Sequence, residues 1–162
     1  MLRISKLTDY GTLVLVHLAD HGGADDRHRG LCPASDVAAG TGLALPTVQK
    51  VLKALTRGGL VESARGSDGG YRLQRPPEAI SATDILDILE GPVALTECSH
   101  EAGRCELEAN CQVGSAWQRI SHAMRGALSD VTLSDLRTPP SEFPLRYTLM
   151  NHRGRDGRAA NR

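Results

Sequence analysis

Apolar residues recur along this chain at helical spacing, interrupted by glycine and proline at regular points. Over residues 4–19, Ile4, Leu7, Leu13, Val14, Val16 and Leu18 fit one helix, closed by the polar, Gly-rich stretch from Asp20 to Asp26. After Pro33 a short Ala-rich segment, residues 34–39, precedes the turn Gly40-Thr41-Gly42. Next, Leu45, Val48, Val51, Leu52 and Leu55 gather on one helical face, with Pro46 where a first-turn proline is tolerated and Gly58-Gly59 as the stop. A short helix, a glycine turn and a longer helix with a polar outer face make a helix-turn-helix. Residues 60–73 read as two short strands around a Gly-rich turn, a wing. Pro76-Pro77 breaks the chain, and Ser81-Ala82-Thr83-Asp84 opens a helix carrying Ile85, Ile88 and Leu89 up to Gly91-Pro92.

Residues 93–112 have little periodicity and hold three cysteines. From Val113 the series Ala116, Trp117, Ile120, Ala123, Met124, Ala127, Leu128 and Val131 repeats every three or four positions, about five turns of one-sided helix. A stripe of that length in a small chain predicts packing on a second copy, with a core helix as the ordinary alternative. The expected fold is mainly α with a small β-wing. Residues 1–92 form a winged helix-turn-helix, 93–112 a loop, 113–136 a dimerisation helix and 137–162 a tail, disordered from about residue 150.

With 162 residues the chain has room for one compact core with appendages. One Phe, one Trp and three Tyr leave that core to Leu, Val, Ile and Ala. The start shows no basic region followed by an apolar run, and no stretch approaches the roughly 18 apolar residues of a membrane span. The expectation is a cytoplasmic protein with no membrane partner, whose four cysteines are better suited to ligation than to disulfides. The net charge of zero conceals a partition: residues 1–75 carry ten Lys/Arg against seven Asp/Glu, 76–136 three against ten, and 137–162 six against two. Within 44–75 the balance is six against two, which suits a polyanion partner for that region.

Opposite the leucines of the second long helix stand Pro46, Lys50, Lys53 and Arg57, flanked by Thr47 and Gln49. Gln49 is suited to adenine, and Thr47 to a thymine methyl or a phosphate. Lys50, Lys53 and Arg57 suit phosphates. Arg65 precedes the Gly-rich wing tip, where glycine lets the backbone approach a minor groove. Taken together in this order, these residues predict binding to double-stranded DNA.

The run from Leu45 to Leu52, Gly59-Leu60-Val61, and Arg65-Gly66-x-x-Gly69-Gly70-Tyr71-Arg72-Leu73 resemble the IscR and NsrR family of iron–sulfur winged-helix regulators. Leu7-Thr8-Asp9-Tyr10-Gly11, Glu90-Gly91-Pro92 and the Cys98, Cys105, Cys111 loop fit as well, so the resemblance covers residues 1 to about 136. Within the family, Leu7-Thr8-Asp9-Tyr10, Thr96-Glu97-Cys98 and the six-then-five cysteine spacing look most like the Suf-system assembly regulators. The resemblance implies a homodimer, acting as a repressor at an operator upstream of cluster-assembly genes.

Three thiolates are usual ligands of an iron–sulfur cluster and leave one position for another donor. By resemblance, Cys98, Cys105 and Cys111 hold a two-iron or four-iron cluster. IscR-like members place a histidine three residues after the last cysteine, but Gly114 stands here. The nitric-oxide-sensing branch offers an acidic residue of helix one from the other subunit, and Asp9 matches it. A helix-start carboxylate is the ordinary reading of Asp9, and His100 is a competing donor. His17 and His122 are expected at helix surfaces, and Cys32 as a small buried hydrophobe. Four alternatives differ in what they predict. A structural zinc on the three cysteines and His100 gives a colourless regulator, and a nitric-oxide or redox sensor has other target genes. An electron carrier or redox enzyme needs a cofactor motif the sequence lacks. A protein-interaction module predicts DNA affinity indifferent to Lys50, Lys53 and Arg65.

Overall fold

The computed structural model describes residues 4–21, 30–66, 69–92 and 113–137. Within it the valines and leucines of three successive helices meet. Helix α1 (Lys6–His21) turns Val14, Leu15 and Leu18 inward, α2 (Ala34–Thr41) adds Val37, and α3 (Leu45–Arg57) adds Val48, Val51, Leu52 and Leu55. They form a core with Leu60, Val61, Ile80, Ile85 and Leu133. Full burial of such a side chain is worth about 1.5–3 kcal/mol, so the helix-turn-helix is held chiefly by its leucine face. Gly42 makes the turn: at φ 71° its N–H closes on the Ala38 carbonyl at 3.0 Å, in a conformation that a β-carbon disfavours.

Strands β1 (Val61–Ala64) and β2 (Gly70–Leu73) pair antiparallel, Val61 opposite Leu73 and Ala64 opposite Gly70. Cys32 supplies a third edge that the sequence pattern did not show. Its N–H donates to the Tyr71 carbonyl and the Tyr71 N–H donates back to the Cys32 carbonyl, both at 2.9 Å. A β-carbon on Gly70 would lie 2.8 Å from the Cys32 carbonyl carbon, closer than packed atoms approach. Gly70→Ala is therefore expected to cost about 1–3 kcal/mol, read as a lowered midpoint in thermal unfolding followed by circular dichroism.

A single 3-10 turn (Pro77–Ala79) leads to α4 (Ala82–Leu89). Ser81 caps that helix: its Oγ accepts the Asp84 N–H at 3.1 Å, and the Asp84 carboxylate accepts the Ser81 N–H at 3.0 Å. Helix α5 (Gly114–Ser129) packs against α4. Arg125 donates to both oxygens of Asp87 at 2.8 and 2.7 Å, and the Thr83 hydroxyl donates to the Arg125 carbonyl at 3.3 Å. The span 113–136, expected as one dimerisation helix, is instead two helices with a break at residues 130–132. Thr132 exchanges hydrogen bonds with Asp135, starting α6 (Leu133–Arg137), which returns Leu133 to the core. By contrast, α5 leaves Val113 58%, Trp117 41% and Ile120 43% exposed and buries only Gly114 and Ser121. Its stripe does not fill the chain's own core.

The architecture is the expected one, mainly α with a small two-stranded wing. Among the described residues no helix is long and apolar enough to cross a membrane.

Candidate nucleic-acid interface

Burial of Val48, Val51, Leu52 and Leu55 fixes the rotation of α3 about its axis. The consequence is that Pro46, Gln49, Lys50, Lys53 and Arg57 are all exposed, with Thr47 half-buried beside them. Positions 46, 50, 53 and 57 are separated by four, three and four residues, so they line one face over about 16 Å of helix. In the wing, Arg65 is exposed before Gly66, whose φ is 120°.

Ion pairing separates the basic residues of this region. Arg72 donates to Glu62 across the hairpin, and Arg75 lies 3.5 Å from Asp84. Among the described residues none of Lys50, Lys53, Arg57 or Arg65 is paired with a carboxylate. Within the described residues of this region, the cations without a carboxylate partner are thus the ones on the recognition-type helix and at the wing, so no ion pair described there has to break before they meet a polyanion.

Cys98, Cys105, Cys111 and His100 lie outside the described residues. In the sequence, the segment that holds them lies between the end of α4 and the start of α5. The start of α1 is fastened to the C-terminal end of α4. Glu90, just past α4, accepts the hydroxyls of Ser5 and Thr8 and the Ser5 N–H, the last at 3.0 Å. Asp9 follows Thr8 and is exposed, on the same face as the exposed Leu13 one turn on.

The Ser5 hydroxyl, then that of Thr8, holds the Glu90 carboxyl below the usual carboxylate range. A depressed pKa means that the ionised form stabilises the fold at neutral pH and that this contribution fades as pH falls through the lowered value. Glu90→Gln is expected to lose about 1 kcal/mol at pH 7, small because the site is solvent-exposed. The gap to wild type should close below about pH 4, as checked by denaturant melts at both pH values.

His17, expected at a helix surface, is half-buried there. Its ring packs on α2 over Gly40, where a β-carbon would lie 2.0 Å from Cε1. Cys32 is buried as expected, and its Sγ stands 3.8 Å from His17 Nε2. Burial, then the neighbouring His21, lowers the His17 pKa, while burial, then Asp36, raises that of the Cys32 thiol. No spacing signal announced this pair, because it is made by tertiary contact across fifteen positions. His122 is exposed on α5, as expected.

A family model described as Rrf2, iron-dependent transcriptional regulator, matches residues 4–139. The chain belongs to the Rrf2 family. Protein aau3 of Rhizobium meliloti (strain 1021) is 33% identical over 137 residues, 83% of this chain and 84% of the relative. The solved structure of CymR, the global cysteine regulator of B. subtilis, matches with a TM-score of 0.64 at 31% identity, over 85% of this chain and 97% of that one. IscR of T. potens matches with a TM-score of 0.59 at 27% identity, over 83% and 85%. This Rrf2 protein is thus a DNA-binding transcription regulator, and its relatives are regulators rather than enzymes. The IscR-like resemblance read from the wing and cysteine motifs stands at the level of the family.

Proposed function

We propose that this Rrf2 regulator is a cytoplasmic homodimer that holds an iron–sulfur cluster on Cys98, Cys105 and Cys111 and represses Suf-type cluster-assembly genes according to whether the cluster is present. The observation that carries the reading is the Glu90 clamp. It fastens the start of α1 to the end of α4 from which the three-thiol segment departs, and α1 shares its buried face with α3. A change of order among the thiols therefore has a short mechanical route to the DNA-reading helix.

The donor set suits the group. Three thiols from one segment are the usual ligands, and the exposed Asp9 carboxylate is available as a weak fourth. When bound, the cluster supplies a cross-link sensitive to oxidants and nitric oxide. Asp9 shares its exposed face with Leu13, so it is presented outward, toward a second copy. Trp117 and Ile120 on α5 provide an apolar surface for that copy to cover. In the dimer, Gln49 and Thr47 of each α3 read base edges, while Lys50, Lys53, Arg57 and Arg65 grip phosphate or minor groove. Half-sites then lie about 10 bp apart.

The family's description as iron-dependent supports this reading. The 31% identity to CymR favours a second one, a regulator responding to cysteine supply without a cluster. Purification of the full-length chain without oxygen separates them. The expected product is coloured, dimeric by sedimentation, and contains iron and acid-labile sulfide. Zinc without sulfide points to the structural-metal alternative, and a colourless, metal-free protein that still binds its operator points to the CymR-like one.

A further inference from the structure

We propose that Cys32 and His17 begin a second metal site, for one borderline-soft divalent cation of the zinc class, independent of the three thiols at 98–111. A tetrahedral zinc with bonds of about 2.3 Å to sulfur and about 2.0 Å to nitrogen sets those two ligand atoms about 3.5 Å apart. Cys32 Sγ and His17 Nε2 stand 3.8 Å apart. A cavity of about 360 Å³ opens beside them, and His21 and Asp36 also line it. The donor types along its lining are a thiol, two imidazoles and a carboxylate, a set that selects zinc-like ions over magnesium or calcium.

A bare S–H to nitrogen contact accounts for the 3.8 Å spacing, but not for a second imidazole and a carboxylate around the same opening. Among the described residues no three such groups already converge on one point, so the site closes by a side-chain rotation. His21 provides it. It lies one helical turn after His17, its ring stacked on that of His17 at 4.1 Å and its Nδ1 2.9 Å from the His17 carbonyl oxygen. Being exposed, it turns toward the cavity without disturbing the core. The bare Cα of Gly40 leaves room for the His17 ring. Cys32 is joined to Tyr71 by two backbone hydrogen bonds, so ligation fastens α1 to the base of the wing.

The test uses the full-length chain with Cys98, Cys105 and Cys111 replaced by serine, reduced, free of oxygen and titrated with Co²⁺. A thiolate-to-cobalt absorption band saturating at one Co²⁺ per chain, and displaced by Zn²⁺, is expected. His17→Ala and His21→Gln in that background should each weaken Co²⁺ binding at least about tenfold. His21→Gln alters an exposed side chain, so its effect reads the site and not the fold. Absence of the thiolate band, or affinity unchanged in both histidine variants, overturns the proposal. Neither result touches the cluster reading, whose ligands this background lacks.

Discussion

Replacing Lys50, Lys53 and Arg57 together by alanine is expected to weaken operator binding by about 10³-fold at physiological salt and to flatten its salt dependence. Each phosphate contact releases condensed counterions, so losing three per subunit, six per dimer, should reduce the slope of log affinity against log salt by about 5. The three side chains are exposed, and none is paired with a carboxylate among the described residues. Thermal stability should therefore hardly change, which separates loss of contact from loss of fold. Gln49→Ala tests the neighbouring assignment in the opposite sense. It should relax discrimination at one base pair by about 1–3 kcal/mol and leave the slope as it was. Fluorescence anisotropy with an operator duplex over a range of KCl concentrations measures both quantities. An unchanged slope in the triple variant would remove the α3 face from the interface.

The helix-turn-helix half of this molecule was legible because its signals are local. Val48, Val51, Leu52 and Leu55 lie on one side of a helix, and that periodicity places Lys50, Lys53 and Arg57 on the other before any tertiary contact is known. Glycine marked the turn after α2 and the wing for the same reason, since its backbone freedom is a property of the residue. Other features were less visible. The break between α5 and α6 was written as Thr132-Leu133-Ser134-Asp135, a capping pattern, but the apolar rhythm through Val131 hid it. The Cys32–Tyr71 bridge and the Cys32–His17 contact depend on residues far apart in the chain, and no periodicity predicts them. Glu90 looked like the end of a helix, and only the fold shows it holding Ser5 and Thr8.

On the proposed reading, the three cysteines at 98, 105 and 111 are the residues whose individual loss should have the most complete effect. Cys98→Ala, Cys105→Ala and Cys111→Ala should each abolish the visible absorbance of protein purified without oxygen, with iron and sulfide falling together. Two thiolates and a weak carboxylate leave the group short of the strong donors it needs, so partial retention is not expected. Asp9→Ala should behave differently. The thiols remain, so colour is retained but bleaches faster in air, because the weakest position is then left to solvent. Cys32→Ser should leave the colour intact, since that sulfur is buried at the base of the wing beside His17. Operator binding provides the second readout: the three alanine variants should share one affinity, distinct from that of the coloured wild type, because the Glu90 clamp then has nothing ordered to transmit. Absorbance and iron content unchanged in all three variants would remove the sensor and leave a DNA-binding regulator with some other input.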